Sequence, residues 1–362
     1  MNGFFVLSLI VILVLLERNW ALKRMPHISY NTESESIMAE KNEELSFVSS
    51  LSNDSRLPVT YVSVTEHLPE TSVLLGNEAY IRDHLMKIGK KRLLTRSLAI
   101  GPLKEIEKEE KYKLENRGIY SSGDYSLYVG DLLGFSHIKA SGRIPWRVAV
   151  LPTRIDDIAL KNIVSGFIGE ISVRRFIMED PIITAGFNEY TGREPFRDIS
   201  WSKTAVYNKL MVKKYDYTSE LRVMILLNIE GGTIAEKERC LELCRMAIEM
   251  FEEKHIPYGF RTNGIIFSQE GDLAYVPPGI GSHHYKSLMY GLAGADHAAR
   301  LSFESLVNIA VKARVQNEHY LVITVPTDAK AQAAINNLSR RTGSELCILV
   351  GKEEQHVQHS VL

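Results

Sequence analysis

The sequence has little cysteine and no cysteine pairing pattern. Its three cysteines, Cys240, Cys244 and Cys347, are an odd number late in a chain of 362 residues. That excludes a disulfide framework and fits a reducing compartment. It also lacks an excess of either charge: 43 Lys and Arg stand against 44 Asp and Glu, a formal net charge of -1. No global field therefore draws the chain onto nucleic acid or anionic lipid. Internal repeats, low-complexity tracts and Pro-rich linkers are missing too, so any domains abut directly. What is present is 45% hydrophobic and 24% charged side chains. That is too apolar for disorder, and the chain is too long for one ordinary core, which predicts two folded domains.

Catalytic signatures are equally scarce. There is no GxSxG, HExxH, Walker lysine or paired-carboxylate constellation, so no residue is assigned a catalytic role and no cofactor is expected. Gly279-Ile280-Gly281 stands between a strand and a helix, but His284 occupies the third glycine position of a dinucleotide fingerprint. A plain strand-to-helix turn explains it better than phosphate binding. His283, His284, His356 and His359 have no carboxylate or cysteine context and read as surface histidines. Cys240 and Cys244, four apart on a helix, share a face. Without a CxxC or HxxxH partner pattern, core packing is favoured over the start of a metal site.

Residues 4–16, FFVLSLIVILVLL, form an apolar run interrupted only by Ser8. A bilayer span needs about 20 residues at about 1.5 Å each, so the run alone is short. Continuing the helix through Glu17 and Arg18 to Trp20 and Leu22 lengthens it, with Arg18 snorkelling and Trp20 at the interface. A signal peptide would have a basic start and a small-residue cleavage site, and a core helix would have a polar stripe; neither is seen. The run is therefore expected to be a membrane anchor. Arg18, Lys23 and Arg24 follow it, which places the rest of the chain in the cytoplasm.

Beyond the run, PVTYVSVTE alternates at period two, as do stretches of EIEKEEKYKL and DYSLYV, and RVAVLP is a short apolar run. Many short strands with turn residues between them predict a β-sandwich-like domain, with a helical turn somewhere in residues 76–91. After Leu221 the pattern changes. RVMILLNIE reads as a buried strand, residues 235–254 as an amphipathic helix, and alternating strands and helices continue to ELCILVG. This predicts a mainly parallel sheet with helices on both faces, whose ligands sit at the carboxyl ends of the strands, in the loop after Ile229.

Between the two halves lies a polar, aromatic-rich stretch, EDPIITAGFNEYTGREPFRDISWSKTAVYNKLMVKKY. Gly186, Glu189, Tyr190, Gly192, Arg197, Ile199, Trp201 and Ala205, with Leu210-Met211-Val212-Lys213 trailing, resemble the signature of the bacterial domain of unknown function 58 family. Upstream, Leu57-Pro58, Arg117-Gly118-Ile119-Tyr120 and Gly130-Asp131-Leu132-Leu133-Gly134-Phe135 resemble further landmarks of that family. Asn188, Thr191 and Arg193 depart from it, where arginine, proline and aspartate are usual. As a structural junction, Gly186 and Gly192 would permit turns, Tyr190 and Trp201 would supply buried area, and Arg197 would reach Glu179 or Asp180. A rival reading makes Arg193, Arg197, Lys203, Lys209, Lys213 and Lys214, with Trp201 and Tyr207, a nucleic-acid patch. Glu189, Glu194, Asp198, Asp216 and Glu220 cancel much of its field, and no nucleic-acid partner is expected.

The resemblance implies a von Willebrand A-like domain, whose first strand ends in Asp-x-Ser-x-Ser around Mg²⁺. Here Asn228 replaces the aspartate, Glu230 the first serine and Gly232 the second. Glu230 and Thr233 would have to improvise a ligand set, which small, rigid Mg²⁺ tolerates poorly, so a metal-free loop is expected. The expected architecture is α+β overall: an anchor at 1–24, a β-rich sandwich-like domain at 25–165, and the signature segment at a domain junction, 166–220. A doubly wound von Willebrand A-like α/β domain follows at 221–352, then a tail at 353–362. The resemblance implies a membrane-anchored, noncatalytic adaptor for other proteins, working with a MoxR-type AAA ATPase to remodel or activate a client complex. An envelope scaffold without an ATPase and an unrecognised hydrolase are the alternatives.

Overall fold

A computed structural model describes residues 2–24, 27–32, 36–89, 91–121, 123–130, 137–144, 147–175, 180–216, 221–268, 271–272, 274–313, 318–326, 329–342, 344 and 346–351. Its architecture is mixed α and β, in two compact units, Met1–Thr153 and Arg154–Leu362.

The first unit begins with α1 (Asn2–Arg24), which carries the apolar run as a single helix with Phe4, Phe5, Ile10 and Leu15 exposed. No helix among the described residues is long and apolar enough to cross a membrane. Then follow β1 (Ile28–Thr32), β2 (Ser36–Ala39), β3 (Glu44–Asn53), β4 (Val59–Leu68), β5 (Ser72–Leu75), α2 (Glu78–His84), β6 (Leu85–Ile88), β7 (Lys91–Ile100), β8 (Lys104–Leu114), β9 (Gly118–Ser121), β10 (Asp124–Gly130), β11 (His137–Arg143) and β12 (Arg147–Val150). They form sheets ordered β1-β3-β8-β5 and β11-β10-β4-β7-β6, with a small β2-β12-β9 sheet. Period-two alternation explains the packing. Along β3, Leu45, Phe47 and Leu51 point inward, and along β4 so do Val62, Val64 and Leu68. Ile28 and Leu51 from one sheet meet Val62, Val64, Ile100, Leu127 and Val129 from the other in a common core.

The same alternation buries charge. Arg96 on β7 donates to Glu66 on β4, to Glu110 on β8 at 3.3 Å, to the Ser49 hydroxyl at 3.1 Å and to the Tyr30 hydroxyl at 2.8 Å. The Tyr80 and Tyr112 hydroxyls donate to Glu110 at 2.9 and 2.7 Å. Two carboxylates thus share one guanidinium inside the unit, and burial pushes the Glu66 carboxyl up to about 7.

The second unit comprises α3 (Ile158–Arg175), β13 (Asp180–Glu189), a 3-10 turn (Phe196–Asp198), α4 (Trp201–Tyr207), β14 (Met211–Asp216), β15 (Arg222–Asn228), α5 (Ile234–Glu253), β16 (Tyr258–Thr262), β17 (Phe267–Ser268), β18 (Gly271–Asp272), β19 (Tyr275–Gly279), α6 (Ser282–Ala293), α7 (Phe303–Lys312), β20 (Glu318–Thr324), α8 (Ala329–Thr342) and β21 (Leu346–Val350). Its main sheet is ordered β19-β16-β15-β20-β21, parallel except for β19. Met224 and Leu226 pack with Phe303, Leu306, Ile335 and Leu338 of α7 and α8, while α5 contacts β15 and β20. Both faces of β15 are buried, which is why its sequence is an unbroken apolar run.

The division at 153/154 places α3 and the signature segment in the second unit. Helix α3 was not anticipated from sequence, although Leu160, Val164, Phe167, Ile168 and Ile171 have helical spacing and are all buried. The Asp131 to Phe135 part of the family landmark, Glu179, Glu220, His356 and His359 lie outside the described residues.

Candidate functional site at the carboxyl ends of the parallel strands

From β15 the chain crosses through α5 to β16, while β20 lies on the other side of β15. The crest above β15 and β20 is therefore the topological switch point, where ligands of open α/β sheets sit. Asn228, 2% exposed, closes this crest. Its amide nitrogen donates to the Thr324 hydroxyl at 2.8 Å, and its carbonyl oxygen accepts from the Asn263 amide at 2.7 Å and the Glu230 backbone at 3.0 Å. The Asn263 carbonyl accepts from the Ile229 backbone at 3.0 Å, and the Thr262 hydroxyl donates to the Leu227 carbonyl at 2.9 Å. Each polar atom of the Asn228 side chain has a partner from the protein itself.

The loop above is fixed as firmly. Gly231 and Gly232 have φ of 77° and 63°, a left-handed geometry that favours glycine. A Cβ at Gly232 would also stand 3.0 Å from Val325 and 3.0 Å from the Glu236 carboxylate, so a serine there meets both strain and crowding. Thr233 caps α5 in a capping box with Glu236. Glu230 turns sideways and accepts from the Phe303 backbone at 2.6 Å. Glu230 and Thr233 thus serve helix starts, and no cluster of three or more His, Cys, Asp or Glu is found among the described residues. At the rim, Ile234 and Leu301 are 66% and 45% exposed. Asn263, Thr324, Ile234 and Leu301 escaped the sequence reading. The first two carried a signal, since each lies at the carboxyl end of a parallel strand.

The signature segment does not bury the tryptophan expected to supply buried area there. Gly186 and Glu189 lie on β13, paired with Lys214 and Met211 of β14. Gly192 makes a turn at φ 90°, and Ile199 is buried with a bridge to Val212. Trp201, in contrast, is 68% exposed, and Ala205 on the same short helix is exposed too. The two-turn helix is held on a two-stranded ribbon, and its side chains are largely exposed among the described residues. Tyr190 has an aromatic neighbour, Phe196, with ring centroids 5.6 Å apart. Arg197 is exposed and lies 3.8 Å from the Asp198 carboxylate.

The remaining candidates are occupied internally. Gly281 caps α6, and its N–H donates to Glu252 at 3.0 Å, so a carboxylate sits where a phosphate would. His284 bonds the Tyr258 carbonyl at 2.8 Å and meets the Tyr258 ring edge-on. All three cysteines are buried and free, and burial pushes the thiols of Cys240 and Cys347 up to about 12. A cleft of about 1060 Å³ opens between α3, α5 and α6, over Met246 and Met250, with Arg154, Lys161 and Lys254 against Glu249 and Glu253 at its walls.

No family model and no curated protein matches the chain. Among solved structures, a Salmonella α-2-macroglobulin mutant aligns at 8% identity over 34% of this chain and 7% of its own, with a TM-score of 0.22. An inactive mutant of the exo-β-N-acetylglucosaminidase of Vibrio harveyi aligns at 11% over 68% of this chain and 47% of its own, TM-score 0.24. A non-cellulosomal cohesin of Archaeoglobus fulgidus aligns at 9% over 33% of this chain and 91% of its own, TM-score 0.20. Similarity at this level carries no functional argument.

Proposed function

We propose that the chain is a membrane-anchored, noncatalytic protein-binding adaptor whose second unit is von Willebrand A-like and engages its partner at the crest above β15 and β20. The first unit is then the sandwich-like domain between anchor and adaptor, and the bulk of the chain is cytoplasmic. The crest's closed hydrogen-bond network is the observation that carries this reading. It holds the loop at the switch point through the protein's own hydrogen bonds and presents Ile234 and Leu301, two exposed apolar side chains, to a partner. The exposed apolar face of α1 supports attachment to the membrane. The family resemblance suggests a MoxR-type AAA ATPase as partner, acting on a client complex.

The test is photo-crosslinking from residues 234 and 301 in native membranes, with and without ATP. An AAA ATPase trapped from both positions in a nucleotide-dependent manner is the expected result. Crosslinks that ignore nucleotide favour a scaffold without an ATPase, and an empty crest overturns the reading. Activity profiling of the purified protein addresses the hydrolase alternative directly.

A further inference from the structure

We propose that α4 and the turns around it form a second, peripheral membrane contact that rests on an anionic headgroup layer. The inference rests on the membrane attachment argued above. Phe196 and Val206 are each 72% exposed, and Trp201, Tyr207 and Leu210 are exposed beside them. Backbone bonds hold these residues in one place. Tyr190 N–H donates to the Leu210 carbonyl at 2.8 Å and Ser200 N–H to the Met211 carbonyl at 2.8 Å, which closes the turn on the ribbon. Seven helical residues span about 10 Å, which puts Trp201 and Tyr207 at the two ends of one short element, about 120° apart around its axis.

The charge around the patch differs in sign from that of the whole chain. Over β13, α4 and β14 stand six basic side chains, Arg193, Arg197, Lys203, Lys209, Lys213 and Lys214, against Asp180, Glu189, Glu194, Asp198 and Asp216, the first and last of these at the far end of the ribbon. Lys209 pairs with Glu189 at 2.9 Å and Arg197 lies near Asp198, and the balance remains positive. Protein interface cores are depleted in lysine, whereas this patch has four. Tryptophan and tyrosine between lysines are the composition of a membrane interface, where an amphipathic ring sits at headgroup level. A field this modest is weak for capturing nucleic acid from solution. It suffices for a surface already tethered, because tethering turns the second contact into an intramolecular event.

The test uses the full chain with Trp20→Phe and Trp146→Phe, which leaves Trp201 as the sole indole. It is reconstituted with phosphatidylcholine vesicles, or with equal parts phosphatidylcholine and phosphatidylglycerol, in each case with acyl-brominated phosphatidylcholine as quencher. Flotation reports attachment, and Trp201 quenching reports the second contact. The expected result is flotation with both vesicles and several-fold stronger Trp201 quenching with phosphatidylglycerol, reversed by high salt and by Lys213→Glu with Lys214→Glu while flotation persists. Flotation with unquenched Trp201, or quenching equal in the two vesicles, overturns the inference and leaves the attachment standing. Failure to float overturns both. A Trp201 emission shift with added oligonucleotide and none with vesicles assigns the patch to nucleic acid instead and overturns the inference.

Discussion

Asn228 sits where the resembled family carries an aspartate, and its surroundings suit an amide. The Asn228 amide nitrogen donates to the Thr324 hydroxyl while its carbonyl oxygen accepts from the Asn263 amide and the Glu230 backbone, and an ionised aspartate could only accept. Asn228→Asp should therefore destabilise the fold by about 1–3 kcal/mol, because it removes a buried donor and adds a buried charge. Chemical denaturation of the variant measures this. Neither Mg²⁺ nor a chelator should move the melting temperature of the natural chain, since a ligand that bound only the folded state would raise it. A Mg²⁺-dependent shift abolished by Glu230→Ala would sink the metal-free reading. Trp201→Ala is the opposite case: exposure limits its cost to under about 1 kcal/mol, whereas a core indole would cost about 3–5. Equilibrium unfolding decides between them.

At the scale of elements, α5 shows how much a short sequence string determines. Thr233-Ile234-Ala235-Glu236 is a capping box followed by an apolar stripe, and the helix starts there. Thr233→Ala should cost about 1 kcal/mol, read as a lowered urea midpoint with an unchanged slope. Gly232→Ser should destabilise by about 1–3 kcal/mol because of the left-handed φ and the approach to Val325. Strands β4, β8 and β10 were legible from alternation, and β12, β15 and β20 from their apolar runs. Helix α3 was missed because its stripe crosses Gly166 and Gly169 and was absorbed into the neighbouring segments. Helix α4 and its ribbon were missed because glycines, charges and aromatics at mixed spacing show no single period.

On the scale of the whole molecule, the buried Glu66–Arg96–Glu110 cluster makes stability depend on pH. The Glu66 carboxyl titrates at about 7 in the folded chain and at 4.5 without the fold. Between those values the folded state holds a proton that the unfolded state has released. The contribution of Glu66 is thus fully present below pH 4.5, declines as pH rises towards 7 and is absent above it. The difference amounts to about 3 kcal/mol at most. Urea unfolding at pH 5 and pH 8 measures it, and Glu66→Gln should flatten the dependence. A slope unchanged in that variant would assign it to other groups.

By itself the sequence determined several strands of the first half and the βα alternation after Leu221, because period-two alternation and apolar runs act over a few residues. It also located the crest, since the carboxyl ends of parallel strands follow from the βα alternation. The tertiary structure alone decided that Asn228, Asn263 and Thr324 close the crest together, being brought into contact by strand neighbours far apart in the chain. It also decided that Glu66 and Glu110 share Arg96, and that Trp201 faces outward. Burial depends on which elements pack over a residue, and no local pattern around Trp201 encodes that.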